Sequence, residues 1–426
     1  MHRFYYYFLI MKKNNVRFRI LFSFLLLFCG STLLAQEYDL LIKSAHLIDP
    51  KNSIDQVMDV AIRDGKIASV ASNISGNAKS IIDAKGLYIT PGIIDIHVHV
   101  FWGTEPDSYI GNSFTSLPPD GFTFRAGVTT VVDAGSSGWR DFRIFKEQTI
   151  DQSKTRVLSF LNIVGSSMKG GAIEQNLNDM DPKLTAMVAK KYKDHIVGIK
   201  VAHYSGPEWA PTERAVEAGK LADIPIMIDF GGYKPAFSLE SLLMEKLRPG
   251  DIFTHCYAHV GGRVPVINDA GVLQDYVLQA QKRGIIFDVG HGGGSFRFDQ
   301  AIPAIQQGLK PNSISSDLHT GSMNGGMKDM TNIMSKLLNS GLTLNEVIEA
   351  STWEPARIIK REEFGHLSVG AIADIAVFSI EEGSFGFIDV VNKKIIGDKK
   401  IVCELTVLNG DVVWDLNGLN SETYSK

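Results

Sequence analysis

The chain has 426 residues, of which 44% are hydrophobic and 21% are charged, and its formal net charge is −4. A chain of this length can bury a large core in one or two domains. Nucleic-acid binding needs a basic surface, which this charge balance does not supply. Beyond residue 35 the only cysteines are Cys256 and Cys403, too few for a disulfide framework. We therefore expect a globular protein without a nucleic-acid partner.

The first 35 residues have the pattern of an export signal. A basic segment, MKKNNVRFR (residues 11–19), precedes an apolar run at residues 20–34, and Ala35-Gln36 is a plausible cleavage point. We predict that residues 1–35 are a signal peptide and that the protein is secreted, to a bacterial periplasm, with no membrane contact after cleavage. An uncleaved anchor is the alternative, although the apolar run is short for a bilayer span.

The two ends of the remaining chain alternate apolar and polar residues, as strands do. Residues 39–49 form one such stretch, and residues 59–70 predict a hairpin around Asp64-Gly65. Near the other end, residues 373–378 and 405–414 repeat this pattern, with an Asn409-Gly410 turn. We expect residues 36–90 and 357–426 to form one small β-sandwich domain from both chain ends.

The central residues 91–356 alternate apolar strands with amphipathic helices. A helix is predicted after Ser238, and Thr343 with Glu346 predicts a capping box that opens a later one. The predicted strands are residues 93–98, 129–134, 156–163, 197–201, 226–230, 252–255, 285–289 and 313–316. Eight such units indicate an α/β fold, a (β/α)8 TIM barrel. A doubly wound open sheet is the alternative, but no glycine-rich dinucleotide motif follows the first strand.

The first barrel strand ends in two histidines, His97 and His99. Residues at positions i and i+2 of a strand point to the same face. Both imidazoles can therefore coordinate one metal ion, as in zinc sites. A histidine-rich strand end without a metal is the alternative.

Other strand ends carry further metal-compatible groups. They are Lys200, Asp229, His255 and Asp317. Reactive groups of a barrel lie at the carboxyl ends of its strands. Each aspartate could instead cap a turn, and His255 could be a core histidine. Lys200 is hardest to explain in this way, since a buried ammonium is costly unless it is paired or modified. Together these residues predict a metal centre.

Seven motifs make the chain recognisable. They are ITPGIIDIHVH (89–99), AGVTTVVD (126–133), VGIKV (197–201), RPGDIFTHC (248–256), FDVGHGGGSF (287–296), SD (316–317) and LSVGAIADIA (367–376). With these motifs, residues 38–418 resemble the amidohydrolase superfamily, and within it the dihydroorotase-like amidohydrolase/deacetylase metallohydrolases.

The resemblance implies a divalent metal centre, with two Zn²⁺ ions expected and Mn²⁺ as the alternative. His97, His99 and Asp317 would hold the more buried metal. Lys200, carbamylated by CO2, would bridge both metals. The second metal would be held by Asp229 and His255.

One position departs from the family pattern as the resemblance implies it. The family has a histidine on strand five, where this chain has Asp229. A carboxylate is an acceptable zinc ligand, so two metals remain compatible with the sequence. Weaker second-metal binding, a harder metal such as Mn²⁺ or a single-metal site are alternatives, and His203 is an alternative ligand.

By the same resemblance, the activity would be metal-dependent hydrolysis of a small acyl compound. A metal-bound hydroxide would attack the acyl carbonyl, with Asp317 as general base and acid. Deacetylation of an N-acetyl amino acid or an acetylated hydroxy acid is favoured. A cyclic amidohydrolase of hydantoinase or dihydroorotase type, and a catalytically silent metabolite-binding barrel, are the alternatives. A homo-oligomer is compatible with the sequence.

Substrate contacts are harder to derive from the sequence. Imidazole, phenol and guanidinium groups near the proposed ligands could bind a substrate oxygen or carboxylate. The candidates are His291, Tyr204, Arg297 and His203. Arg263 is a further candidate for a substrate carboxylate, and His259, Trp209 and His319 lie close to the proposed ligands in the sequence and are expected near the pocket.

Overall fold

A computed structural model describes residues 37–102, 115–229 and 236–424. The predicted signal peptide lies outside these residues. The strands are β1 Tyr38–Asp49, β2 Ile54–Arg63, β3 Lys66–Ala71, β4 Ala78–Asp83, β5 Tyr88–Pro91, β6 Ile93–Val98, β7 Val128–Gly138, β8 Arg156–Asn162, β9 Ile196–Val201, β10 Ile226–Ile228, β11 Ile252–Phe253, β12 Ile286–Phe287, β13 Ile375–Ile388, β14 Lys394–Leu408 and β15 Asp411–Asp415. The α-helices are α1 Phe142–Phe145, α2 Pro182–Lys191, α3 Ala210–Ala222, α4 Leu239–Ser241, α5 Asp275–Lys282, α6 Phe298–Gln306, α7 Met330–Leu338, α8 Leu344–Glu349 and α9 Trp353–Ile358.

The first sheet joins strands from both ends of the described chain. Its order is β15-β14-β13-β5-β1-β2-β3, with β4 also paired to β1. The junction is β5, which pairs in parallel with β1 and antiparallel with β13. Asp64-Gly65 and Asn409-Gly410 turn its hairpins in the left-handed conformation that two-residue turns require. That this sheet is a sandwich stays a prediction, as do the exact domain boundaries.

The second sheet is parallel, in the order β12-β11-β10-β9-β8-β7-β6. The segment 313–318 lies between its two edges. Ser313 bridges in parallel to Asp288 after β12, and Leu318 bridges in parallel to Val98 in β6. The eighth predicted strand is therefore a pair of isolated bridges. Backbone hydrogen bonds from Val289 to Ser313 and from His99 to Leu318 join this segment to both edges of the sheet. The predicted α/β class with a parallel central sheet is confirmed.

Helices pack against this parallel sheet and bury apolar side chains in a shared core. The predicted Ser238 cap is present, since its side chain accepts from the Ser241 amide. The helix after it is shorter than expected, because α4 passes into a π-helical turn at Leu242–Lys246. The Thr343–Glu346 capping box is confirmed at α8. Among the described residues, no helix combines the length and apolar character that crossing a bilayer requires.

Candidate active site

Three predicted metal ligands form one cluster at the carboxyl end of the barrel. The ligand atoms of His97, His99 and Asp317 all lie within 4.8 Å of one another, and all three residues are buried. Oδ1 of Asp317 is 3.1 Å from Nε2 of His99 and 3.6 Å from Nε2 of His97. Two imidazoles and a carboxylate are a donor set that zinc accepts. The residues therefore fit a divalent metal.

Barrel closure brings Asp317 to the two histidines. Its backbone N–H donates to the carbonyl of His97 over 2.6 Å, and the N–H of His99 donates to the carbonyl of Leu318 over 2.9 Å. Asp317 adopts a φ of 50°, a left-handed conformation that costs energy for a residue with a Cβ and is common at functional sites. The closing segment thus aims this carboxylate at the histidine pair.

The cluster opens into a small cavity of about 120 Å³. Its lining, among the described residues, contains every predicted metal ligand. The lining residues are His97, His99, Thr115, Met168, Lys200, His203, Asp229, His255, Asp317 and His319. Side chains from separate strand ends therefore converge on one space, as the barrel prediction requires.

Lys200 lies in β9 and lines the same cavity as the two histidines. Its side chain is buried, and Nζ is 3.2 Å from Nε2 of His97. Burial lowers the pKa of this amine, because a charged ammonium is poorly solvated there; the carboxylates of Asp229 and Asp317 oppose the shift. The amine is therefore placed beside a nitrogen that is a predicted metal ligand.

Asp229 is the centre of a second group of polar side chains. Its Oδ2 lies 3.4 Å from Nε2 of His255 and 3.5 Å from Nε2 of His203. Its Oδ1 forms an ion pair with Arg263. Burial alone would raise the pKa of this carboxyl, but the Arg263 and His255 side chains hold it well below its usual range. The carboxylate is therefore ionised and already has a cationic partner.

The sequence reasoning missed the hydroxyl groups that orient the histidines. Nδ1 of His97 lies 2.9 Å from Oγ1 of Thr254, which donates to Asp288. Nδ1 of His99 lies 3.0 Å from Oγ of Ser136. Partners of this kind fix ring orientation in metal sites. The position of Thr254 beside His255 in the sequence was the one available signal.

Of the substrate-binding candidates, His203 lines the cavity and three others do not. His291 is buried, with Nε2 2.9 Å from Nζ of Lys336. Tyr204 donates its hydroxyl to Glu208. Arg297 is paired with an aspartate two residues on, at position 299. These three side chains do not line the cavity, and the physical reason is the same for each, because each polar group already pairs with a nearby partner in this chain.

Of the further residues, His319 lines the cavity. Arg263 reaches the site through its ion pair with Asp229, and His259 is exposed.

Comparison with known proteins identifies the family. A model of the amidohydrolase family matches residues 297–413. A deacetylase of Brucella anthropi is 35% identical over 335 residues, covering 76% of this chain and 80% of that protein. The chain belongs to the amidohydrolase family. A deacetylase of Agrobacterium fabrum is 36% identical to this amidohydrolase over 325 residues, covering 74% of this chain and 77% of that one.

Solved structures agree with this assignment. A crystal structure of an adenine deaminase superposes on this amidohydrolase with a TM-score of 0.80 and 29% identity, covering 89% of this chain and all of that one. A dihydroorotase crystal structure gives a TM-score of 0.79 and 30% identity, and the match covers 88% of this chain and 99% of that one. The predicted resemblance is confirmed. The amidohydrolase is a hydrolase that acts on carbon–nitrogen bonds.

Proposed function

We propose that this amidohydrolase is a metal-dependent deacetylase of a small N-acetyl amino acid or acetylated hydroxy acid. The observation that carries the proposal is the buried His97–His99–Asp317 cluster at the base of a 120 Å³ cavity. A space of this size suits a small acyl group. Relatives named deacetylases that align with about three quarters of the chain support the choice of reaction.

The proposed metal is Zn²⁺, with Mn²⁺ as the alternative. His97, His99 and Asp317 would hold it, since two imidazoles and a carboxylate match the ligand preference of zinc. When bound, a divalent metal lowers the pKa of a coordinated water molecule and polarises an acyl carbonyl. Lys200 is proposed to be carbamylated. Its neutral amine adds CO2 and releases a proton, which turns a buried base into an anionic oxygen ligand.

Asp317 is the proposed general base and acid. Burial would raise the pKa of its carboxyl, but His97 and His99 hold it below the usual range, so it is ionised at neutral pH. Oδ1 faces the histidines, whereas Oδ2 is 3.8 Å from Nε2 of His319. Oδ2 can therefore accept a proton from water and deliver it to the leaving nitrogen or oxygen.

Cyclic amide hydrolysis is the second candidate reaction. The similarity to a dihydroorotase structure, with a TM-score of 0.79 at 30% identity, favours it. A screen of N-acetyl amino acids, acetyl esters and hydantoins separates the two. Acetate release from an N-acetyl amino acid or acetyl ester supports the deacetylase, whereas ring opening without acetate release overturns it. A silent metabolite-binding barrel predicts near-zero metal in protein produced with ample zinc and bicarbonate.

Export to a bacterial periplasm is also proposed. It is supported by the basic and apolar pattern of residues 11–35. Amino-terminal sequencing of the mature protein tests it. The expected first residue is Gln36, and a retained apolar segment would contradict cleavage.

A further inference from the structure

The carboxylate of Asp229 has two different kinds of neighbour. One oxygen, Oδ1, is paired with the guanidinium of Arg263, and the two side chains are only 6% and 18% exposed. The other oxygen lies between Nε2 of His255 at 3.4 Å and Nε2 of His203 at 3.5 Å. A buried carboxylate needs a compensating charge. Arg263 supplies that charge from within the chain.

The donor atoms of the site are grouped unevenly. Across residues 37–102, 115–229 and 236–424, His97, His99 and Asp317 are the one set of three metal-compatible residues whose ligand atoms approach one another within 4.8 Å. Nδ1 of His203 lies 2.8 Å from Oε2 of Glu174, and Nε2 of the same ring faces Oδ2 of Asp229 at 3.5 Å. Among the described residues, the side chains around Asp229 therefore offer a looser set of ligand atoms than the His97–His99–Asp317 cluster.

The guanidinium also opposes a second metal through its charge. A divalent cation bound to Oδ2 of Asp229 would share this carboxylate with the cationic Arg263 side chain, which pairs with Oδ1. Like charges this close repel one another, and the repulsion is strong in a buried, weakly screened site. An arginine cannot relieve it by losing its proton, because the guanidinium group stays protonated in proteins.

We propose that this amidohydrolase binds one divalent metal ion per chain, at His97, His99 and Asp317, and that Arg263, paired with Asp229, supplies the second positive charge of the site. The carbamate proposed for Lys200 is then a further ligand of this one metal, since Nζ lies 3.2 Å from Nε2 of His97. The inference rests on the proposed metal-dependent function. It departs from the two-zinc centre that the family resemblance implies. Asp229 then serves as the anchor of an arginine and not as a metal ligand.

Zinc stoichiometry tests this inference directly. The mature protein, which begins after the proposed cleavage point, is first stripped of metal with a chelator and then titrated with ZnCl2 in bicarbonate buffer. Bound zinc is measured by elemental analysis after gel filtration. We expect one zinc per chain in the wild type and in Asp229→Asn, and a loss of bound zinc in His97→Ala. Two zinc ions per wild-type chain overturn the inference, as does a loss of zinc in Asp229→Asn.

Substitution of Arg263 tests the role of its charge. In Arg263→Met, the repulsion is removed, so a second zinc should bind between Asp229 and His255 and raise the stoichiometry towards two. Arg263→Lys keeps the positive charge and should still bind one zinc per chain. The matched control is Arg297→Met, which also removes the arginine partner of an aspartate but lies outside the cavity. This variant should still bind one zinc per chain. A stoichiometry of one in folded Arg263→Met overturns the role given to the guanidinium.

The same preparations separate this inference from the proposed deacetylase. One zinc per chain without acetate release from any tested substrate overturns the deacetylase and leaves the metal count standing. Two zinc ions with acetate release overturn the metal count and leave the deacetylase standing. Circular dichroism and thermal melting confirm that each variant is folded.

Discussion

Nδ1 of His97 lies 2.9 Å from Oγ1 of Thr254, and this hydroxyl donates its hydrogen to Oδ2 of Asp288 at 2.6 Å. A hydroxyl has one hydrogen, so Oγ1 must accept from the imidazole. Nδ1 therefore carries the ring hydrogen and Nε2 keeps its lone pair. Nε2 is the atom that faces Asp317. The Thr254–Asp288 pair thus selects the tautomer that a metal requires.

Thr254→Val should weaken metal binding, because the isosteric side chain fills the same space but accepts no hydrogen bond from His97. Losses of this kind are typically ~10–100-fold in metal affinity. Competition with a chromogenic chelator measures the zinc affinity. Thr185→Val is the control, since that hydroxyl donates to the carbonyl of Asp181, the residue that caps the amino terminus of α2. Unchanged affinity in Thr254→Val would show that the threonine does not orient His97.

Asp317→Asn should reduce turnover by ~10²–10⁴-fold, the usual contribution of general acid–base catalysis. The amide has nearly the same shape and cannot accept a proton in the same way. Acetate release measures the rate, and the melting temperature and bound zinc report on the fold and the metal. We expect an unchanged fold and most of the metal retained. Asp299→Asn, an exposed aspartate outside the cavity, should keep the full rate, and a full rate in Asp317→Asn would remove its proposed role.

Lys200→Ala should abolish activity, because it removes both the amine and its proposed carbamate. Short carboxylic acids such as propionate, added with zinc, should restore part of the rate by placing a carboxylate near the vacated position. Acetate release with and without propionate measures this. The wild type, which already has its ligand, should gain nothing from the acid. A full rate in Lys200→Ala without any acid would contradict the proposed carbamate ligand.

Gly292→Ala should destabilise the site. A Cβ on Gly292 would lie 2.3 Å from Oδ2 of Asp317, and the φ of 56° disfavours any residue other than glycine. Gly294→Ala is the matched control in the same loop, since a Cβ there meets nothing within 4 Å. Thermal melting and zinc affinity measure the effect. Equal decreases in melting temperature and zinc affinity in both variants would contradict the close approach of the loop to Asp317.

Stability should depend on pH through His291. Its burial and the nearby Lys336 amine hold its pKa well below 6.5, whereas the unfolded chain titrates near 6.5. The stabilisation is therefore fully present above pH 6.5 and is lost as the pH falls below it, by about 1.4 kcal/mol per pH unit. Urea unfolding of wild type and His291→Gln at pH 7.5 and 5 should show a smaller pH effect in the variant.

The control for this prediction is His259→Gln, which removes an exposed histidine. It should keep the pH dependence of the wild type. An identical dependence in wild type and His291→Gln would show that His291 does not carry this linkage.

Local patterns predicted much of the architecture. Alternating strands, Asn-Gly and Asp-Gly turns and the capping box depend on neighbouring residues, and they appear as expected. The placement of His97 and His99 on one side of a strand end follows from the strand period alone. The eighth strand was harder to predict, because residues 313–318 make only two bridges, one to each edge.

The sequence by itself determined the fold class, the family and the residue types available for a metal, because motif spacing and periodicity are local properties. Tertiary structure decided which of those residues meet. Asp317 reaches His97 through closure of the barrel, across more than 200 residues of chain. The pairing of Asp229 with Arg263 was decided in the same way. Which charged side chains pair depends on the distance between them in space. That distance is set by the path of the folded backbone and cannot be read from the order of residues alone.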